Sequence, residues 1–223
     1  MKIGILGSGL MGAKLGTIWA RAGHQVTFSY SHKESKLKRL AREAGKNASA
    51  GTPADAARDA DAVLLAVHWS RVDHVLKEAG DLSGKVLVTC SLPMNADDTG
   101  LVVGHTSSGA EELQKKVPKA RVVQAFNTVP SEVLFAVFER RRRKTRPSLV
   151  YCGDDAKAKK AAAQLIGDVG FEPIDLGDLR MARYSEPFTM IIAQQAYETD
   201  RGPALAYRFH WLEERKAPST RRP

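Results

Sequence analysis

Three glycines close to the amino terminus have a spacing that suits a chemical role. Gly7, Gly9 and Gly12 follow an apolar run, Lys2–Leu6, and the apolar positions after them recur at helical spacing as far as Gly23. The first glycine permits a tight turn, the second lets a ligand approach the backbone, and the third lets the helix pack closely on the strand. Since the first N–H groups of a helix lack partners within it, the loop predicts a pyrophosphate-binding site. The predicted binding residues are Gly7, Ser8, Gly9, Leu10, Met11 and Gly12.

The residues that follow the second predicted strand, Gln25–Ser29, indicate which dinucleotide this site takes. An NAD site places a carboxylate at the strand end for the ribose hydroxyls, whereas the first carboxylate here is Glu34, beyond that position. A hydroxyl followed by cations suits a 2′-phosphate, because charge-assisted hydrogen bonds to phosphate are strong. We therefore predict NADP(H) as the cofactor; the alternative is a solvated helix start with surface lysines. The hydroxyl and the cations are Ser31, His32, Lys33 and Lys36.

Two further segments end strands at the sheet edge where α/β folds bind their ligands. Val67, His68 and Trp69 end one strand and would flank a nicotinamide ring. His68 is the candidate catalytic residue: it could donate a hydrogen bond or act as an acid, or it could serve only to position the ring. We favour positioning, because hydride transfer between two ring cofactors needs no general base. The next strand leads to the predicted apolar walls of the substrate pocket, which together with Trp69 are Leu92, Pro93 and Met94.

Alternating strands and helices must hold these residues in place. Strands are predicted at residues 2–6, 25–29, 62–67, 85–89, 121–125, 149–152 and 172–176. Helices are predicted between them, and a closing helix over 178–198 is predicted to be interrupted near Pro187. This alternation predicts an α/β fold: a Rossmann-type doubly wound, mostly parallel sheet with a small C-terminal α/β extension. The predicted parts are a dinucleotide-binding domain over 1–147, a C-terminal part over 148–216 packed on the same sheet, and a flexible tail over 217–223.

Composition and charge argue against several other classes of protein. The chain has 223 residues, 43% of them hydrophobic and 26% charged, and no apolar stretch approaches the roughly 18 residues of a membrane span. The apolar amino terminus is typical of a buried strand, so we expect a cytoplasmic protein. Two cysteines, Cys90 and Cys152, argue against a disulfide scaffold or a thiolate metal site. The net charge of +9 is concentrated in Arg140–Arg146 and in residues 201–223, so nucleic-acid binding is not the expected main role.

Four blocks of sequence together resemble a known family. They are GILGSGLMG with the following SHK stretch, Gly104–Glu112, Ala125–Val129, and Phe171–Leu179 with the following Ala-Arg pair. They are similar to NADP-dependent oxidoreductases of the coenzyme F420 (deazaflavin) type, whose domain also occurs in six-transmembrane metalloreductases. The resemblance covers roughly residues 1 to 198 and implies that Ser31, His32, Lys33 and Lys36 contact the 2′-phosphate. It further implies that Val67, His68 and Trp69 lie near the nicotinamide, that Asn127 binds the cofactor, and that Thr128 and Val129 line the substrate pocket.

The expected function is hydride transfer between NADPH and a small redox acceptor, a deazaflavin of the coenzyme F420 type. One alternative is a flavin or ferric reductase that uses NADPH, and another is a non-enzymatic NADPH sensor. We also expect a homodimer, because Phe188, Ile191, Ile192 and Tyr197 suggest an apolar face on the last helix. An acidic tail on the acceptor would be attracted to Arg140–Arg146.

Overall fold

The apolar runs of the sequence form one eight-stranded sheet in the computed structural model, which describes residues 1–31 and 33–212. The strands are β1 (Lys2–Leu6), β2 (Gln25–Ser29), β3 (Ala48–Ala50), β4 (Ala62–Leu65), β5 (Val86–Thr89), β6 (Arg121–Ala125), β7 (Ser148–Gly153) and β8 (Glu172–Asp175). The helices are α1 (Leu10–Arg21), α2 (Glu34–Ala44), α3 (Pro53–Arg58), α4 (Val72–Ala79), α5 (Gly109–Lys116), α6 (Leu134–Glu139), α7 (Ala156–Val169) and α8 (Ala182–Tyr197).

The order of the strands creates a crevice for a ligand. Across the sheet the order is β3-β2-β1-β4-β5-β6-β7-β8, and all neighbouring pairs are parallel except β6 with β7. The chain therefore winds outward in both directions from β1 and β4, and their carboxyl ends diverge at a topological switch point, where such sheets bind ligands. The predicted Rossmann-type, mostly parallel α/β sheet is confirmed.

Each strand contributes side chains to two cores, one on each face of the sheet. Along β1, Ile5 packs with Trp19 of α1 and Phe28 of β2 on one face, whereas the next residue, Leu6, packs on the other. This alternation follows from the period-two geometry of a strand. Gly16 in α1 is needed for the first core, because a Cβ there would come within 2.4 Å of the Phe28 ring. The helix therefore lies close enough to β1 to fix the glycine loop.

Some elements differ from the sequence-based expectation. Helix α8 is continuous through Pro187, so the predicted interruption is wrong. A proline removes only one N–H from the helix, and packing of α8 against the sheet holds the remaining turns together. The short strand β3 and helix α6 were not expected, since three and six residues are too few to show a period. Strands β7 and β8 extend the same sheet, the domain division at residue 147 stays a prediction, and the tail over 217–223 lies outside the described residues.

Helix α8 presents a narrower apolar face than predicted. Ile192 is only 7% exposed and packs inward, which corrects its expected place on a surface patch. Tyr184 and Ile191 remain exposed, and Phe188 lies between them at helical spacing with its ring against Tyr207.

An extended segment over residues 203–212, here called the C-terminal strap, crosses the start of β7. Ser148 N–H donates to the Tyr207 carbonyl at 2.8 Å, and Phe209 N–H donates to Ser148 Oγ at 3.1 Å. The Tyr207 hydroxyl accepts from Val150 N–H at 3.2 Å and contacts Thr128 Oγ1 at 2.8 Å. The strap therefore supports the loop that follows β6.

None of the helices within the described ranges combines the length and the apolar character that crossing a membrane requires.

Candidate functional site

The glycine loop joins β1 to α1 in the arrangement expected for a phosphate site. Gly7 has φ +111°, which side-chain-bearing residues rarely adopt, and a Cβ at Gly12 would lie 1.9 Å from the Gly7 carbonyl oxygen. Gly9 is different, because a Cβ there would meet no atom within 4 Å. The space beside Gly9 is therefore open to a ligand, whereas Gly7 and Gly12 are required by the fold itself.

Among the described residues, no side chain hydrogen-bonds to the start of α1. No side chain caps the helix at Gly9, and its first turn contains no acidic residue. The Ser8 hydroxyl does not compensate, since it is buried and donates to the Ser29 carbonyl at 2.9 Å. The backbone N–H groups at this helix start, with the positive end of the helix dipole, are thus available to an anion.

A cavity of about 610 Å³, here called the first cavity, lies beyond the end of β2. Its lining includes Tyr30, Ser31, Lys38, Arg71 and His74. Of the predicted phosphate ligands, Ser31 is therefore in place. Lys33 is exposed at the start of α2 and Lys36 is half-buried, and neither lines the cavity. His32 lies outside the described residues.

The first cavity contains both acidic and basic side chains. Two of its carboxylates are paired with cations, Glu34 with Lys38 at 2.7 Å and Asp55 with Arg58 at 3.0 Å, and the third, Glu78, lies 3.7 Å from His74 Nε2. The hydrogen bond from Lys38 lowers the pKa of Glu34. The Arg71 guanidinium, in contrast, has no hydrogen-bond or ion-pair partner within residues 1–31 and 33–212, although the backbone N–H of this residue donates to the His68 carbonyl. Its guanidinium is the cation that sequence reasoning missed, because it comes from the end of a different strand than Ser31.

Tyr30 forms one wall of the first cavity. Its backbone has φ +58°, an unusual conformation for a residue with a side chain, and its hydroxyl lies 3.0 Å from His74 Nδ1. The two rings are 5.7 Å apart. Burial raises the pKa of the Tyr30 hydroxyl, which therefore stays protonated. The two rings are tilted by 54° to each other and together form an aromatic wall of the cavity that Ser31 also lines.

A second cavity of about 290 Å³ opens at the carboxyl edge of β5 and β6. Five of the predicted residues line it: Leu10, Met11, Leu92, Asn127 and Val129. Phe126, from the loop that the resemblance places at the pocket, lines it as well. Sequence reasoning missed Pro130 and Ser131 and the contribution of α8, which supplies Thr189, Ile192, Ala193 and Tyr197. The periodicity of α8 indicates a buried face, but which cavity that face closes depends on the tertiary fold.

His68 is held by hydrogen bonds on both ring nitrogens. Nδ1 accepts from Ser70 N–H at 3.2 Å, and Nε2 lies 3.1 Å from a carboxylate oxygen of Asp98. With Nδ1 acting as an acceptor, the ring proton is on Nε2, directed at Asp98. His68 lies outside the lining of the second cavity, and its bonds suit the positioning role favoured from sequence.

The other predicted pocket residues also lie outside the lining of the second cavity. Trp69 and Val67 pack against the core on their face of the sheet, and Pro93 is buried where a Cβ on Gly109 would lie 2.8 Å from its ring. Met94 pairs with Leu101 in an antiparallel bridge, and Thr128 is fully buried beneath the C-terminal strap. These residues support the loops around the cavity.

Cys90 borders the second cavity as a half-buried residue whose thiol is removed from solvent. Burial raises its pKa to about 12, so it is not a thiolate at neutral pH. Cys90 therefore serves as a small apolar side chain, as expected. Within the ranges that the structure describes, no group of three histidine, cysteine or acidic side chains could hold a metal ion.

A buried carboxylate on α8 connects this helix to α5. Glu186, 1% exposed, accepts from the N–H groups of Gly109 at 2.8 Å and of Ala110 at 3.0 Å. Burial raises the pKa of Glu186 to about 7, although the two backbone bonds oppose that shift. Glu186 thus fixes α8 against the sheet.

Comparison with known proteins agrees with this geometry. The family model described as NADP oxidoreductase, coenzyme F420-dependent, matches residues 2–93. Metalloreductase STEAP3 of Rattus norvegicus is 29% identical over 185 residues, which are 83% of this chain and 36% of the relative. The chain therefore spans about a third of the length of that curated relative.

Solved structures extend the similarity over most of the chain. A proposed F420-dependent NADP-reductase from Arthrobacter sp. FB24 is 26% identical, with a TM-score of 0.82 over 95% of this chain and 100% of that one. A reductive aminase from Aspergillus terreus in complex with NADPH and ethyl levulinate is 18% identical, with a TM-score of 0.64 over 87% of this chain and 60% of that one, and shares the fold. Residues 2–93 of this chain therefore resemble the coenzyme F420-dependent NADP oxidoreductases, and most of the chain shares its fold with solved NADP-dependent reductases.

Proposed function

We propose that the protein transfers hydride between NADPH and a deazaflavin acceptor of the coenzyme F420 type. The observation that carries this proposal is the second cavity, which joins the amino-terminal end of α1 to an apolar wall at the carboxyl edge of the sheet. A ligand cavity of this kind is mostly apolar with a few polar groups, as a planar ring requires. The family relationship and the Arthrobacter structure, which is named for F420 and NADP, support the same acceptor.

The residues of the two cavities fit NADP(H). The open space at Gly9 and the uncapped start of α1 would hold the pyrophosphate. Ser31 and Arg71 would hold the 2′-phosphate in the first cavity. When bound, NADPH supplies a hydride, so the protein needs to bring two rings together rather than to generate a reactive group.

Positioning is then the main catalytic contribution of this chain. Leu92 and Val129 exclude water from the second cavity, and the Phe126–Val129 loop is held from below by the C-terminal strap. Holding two reactants in an attack geometry can supply several kcal/mol, about 7–11 in favourable cases. We propose His68 as a positioning residue, because both of its ring nitrogens are engaged.

A reductase of flavin or ferric chelates is the second candidate function. It is favoured by the relationship to a metalloreductase, although this chain spans only about a third of that protein. The cavity alone does not separate a deazaflavin from a flavin, since both present a planar tricyclic ring.

The test is anaerobic oxidation of NADPH with F420, FMN, FAD and ferric chelates as acceptors. We expect F420 to give the highest turnover. In Leu92→Trp, which fills the second cavity, acceptor turnover should fall while NADP⁺ binding stays intact. Trp69→Ala, at a position outside that cavity, is the matched control and should have the smaller effect. Flavin turnover equal to or above that of F420 would favour the second candidate, and tight NADPH binding without any turnover would favour a sensor.

The cationic loop offers a place for an acidic acceptor tail. Arg140–Arg146 contains six basic and no acidic residues, and it leads into β7, whose first residue lies at the same sheet edge as the second cavity. Arg141 is occupied by stacking on Phe138 at 4.0 Å, whereas Arg142 and Arg143 are exposed. Charge of this kind raises association rates at low salt. For Arg142→Glu with Arg143→Glu, we expect a higher KM for F420 and a weaker salt dependence of that KM. An unchanged salt dependence would contradict this role.

A further inference from the structure

The second cavity contains a buried amide whose oxygen has no partner. Asn127, 8% exposed, follows β6 and lines the cavity. Its Nδ2 donates to Thr189 Oγ1 at 3.0 Å and to the Ser185 carbonyl at 3.4 Å. Its Oδ1 is buried and meets no donor among the described residues. Because buried polar atoms are almost always hydrogen-bonded, this free acceptor calls for a partner from outside the chain.

The orientation of this amide follows from the hydrogen bonds around it. Thr189 donates its hydroxyl proton to the Ser185 carbonyl at 3.2 Å, so its Oγ1 is left to accept from Asn127. The Ser185 carbonyl can only accept as well. Both neighbours on α8 therefore require the Nδ2 side of the amide, and Oδ1 must be the atom turned away from them.

Backbone strain next to Asn127 is a second, independent indication of a ligand site. Phe126 has φ +66° although it carries a bulky side chain, and it is fully buried with its ring edge-on to Trp19 at 5.7 Å. Strained conformations of this kind cost free energy and are concentrated at binding and catalytic sites. Here the strain sets the direction in which the chain leaves β6, and with it the position of Asn127.

The missing partner must be a hydrogen-bond donor, since a second acceptor would be repelled. We propose that Asn127 Oδ1 accepts a hydrogen bond from the carboxamide N–H of the nicotinamide and so determines which ring face points at the acceptor. This inference rests on the proposed function. The acceptor ring, if it carries an N–H, is the other source of the same donor chemistry.

Cofactor analogues test the proposal in binding experiments that need no turnover. The 3-acetylpyridine analogue of NADP⁺ lacks the carboxamide N–H, the thionicotinamide analogue keeps it, and 2′-phospho-ADP-ribose lacks the whole ring. For the wild-type protein, calorimetry should show the 3-acetylpyridine analogue binding about tenfold more weakly than NADP⁺, with the thionicotinamide analogue close to NADP⁺.

Asn127→Ala should remove this discrimination, so that the 3-acetylpyridine analogue and NADP⁺ bind equally. Its affinity for 2′-phospho-ADP-ribose should equal that of the wild type. Gln194→Ala removes an exposed amide of α8 that lies outside the cavity lining; it is the matched control and should keep the wild-type ratio. Hydride transfer from NADPH deuterated on one C4 face should also lose stereospecificity in Asn127→Ala.

Three results would overturn the proposal. The first is equal wild-type affinity for NADP⁺ and the 3-acetylpyridine analogue, which decides the matter even if Asn127→Ala does not fold. The second is an Asn127→Ala protein that keeps the wild-type ratio. The third is an Asn127→Ala protein that binds NADP⁺ and its analogues as the wild type does but binds the acceptor more weakly. The hydrogen-bond donor would then be an N–H of the acceptor ring. If the proposed function were wrong but this inference correct, the wild type and Asn127→Ala would show the expected binding ratios, and the wild type would show no turnover with any acceptor.

Discussion

At the scale of single residues, Ser31 decides what the first cavity recognises. Ser31→Asp places a carboxylate beside Arg71, where it would repel a 2′-phosphate and accept from ribose hydroxyls. Because charge-assisted hydrogen bonds are worth about 1.5–3 kcal/mol each, we expect NADPH binding to weaken at least tenfold and the preference to move toward NADH. Fluorescence titration with both cofactors measures this, with Ser31→Ala as the control that loses only the hydroxyl. Equal binding of NADH and NADPH by the wild type would show the assignment to be wrong.

Glu186 makes stability depend on pH in a direction opposite to that of most carboxylates. Its pKa is raised to about 7 in the folded protein from 4.5, so the folded state holds a proton that the unfolded state releases between these values. The stabilisation by the protonated form is complete below pH 4.5 and is lost as the pH rises through 7. Relative to Glu186→Gln, the wild type should therefore lose up to ~3 kcal/mol between pH 4.5 and pH 8. Thermal unfolding at several pH values measures this, and parallel profiles for the two proteins would exclude it.

Candidate functional residues close to the ends of predicted strands were easier to identify from sequence than the residues that complete each cavity from elsewhere in the chain. Ser31 and the glycines could be proposed from sequence because each group comes directly after a predicted strand, in a segment that leads into a predicted helix. Arg71 and Thr189 were not, because each reaches its cavity from an element far away in the chain. Local sequence carries no information on which distant element will close a cavity.

At the scale of elements, the β1–α1 unit separates a folding requirement from a binding requirement. In Gly12→Ala the new Cβ would lie 1.9 Å from the Gly7 oxygen, so α1 must move and the protein should lose several kcal/mol of stability, about 2–4. In Gly9→Ala the Cβ meets no protein atom within 4 Å, so stability should stay near wild type while NADP⁺ binding is lost. Denaturant unfolding and calorimetry on the two variants distinguish the effects. A destabilised Gly9→Ala protein with normal affinity would contradict the assignment.

The alternation of strands and helices was sufficient to predict the sheet, since parallel strands must alternate with crossover segments. The predicted bounds at β1, β2 and β6 match the structure, because each apolar run begins at a polar residue and is followed by a loop. The reversal of β7 was not evident, because a strand buried on both faces shows the same apolar run in either direction. The continuity of α8 through Pro187 likewise depends on packing.

At the scale of the whole molecule, α8 is the surface through which we expect two chains to associate. Tyr184 and Ile191 are 60% and 59% exposed on one side of this helix, an unfavourable arrangement for an isolated chain. Light scattering at micromolar concentration should give a dimer for the wild type and a monomer for Ile191→Asp. Lys77→Ala, which alters the net charge equally on the exposed face of α4, should remain dimeric. A monomeric wild-type protein would exclude this interface.

The C-terminal strap determines when during synthesis the site becomes complete. Tyr207 supports Thr128 and Val150, which leave the ribosome 79 and 57 residues earlier. The glycine loop and the first cavity are built from residues 7–78, whereas the loop carrying Asn127 lacks its support until Tyr207 has been synthesised. A nascent chain can thus complete the first cavity well before the wall of the second cavity is supported.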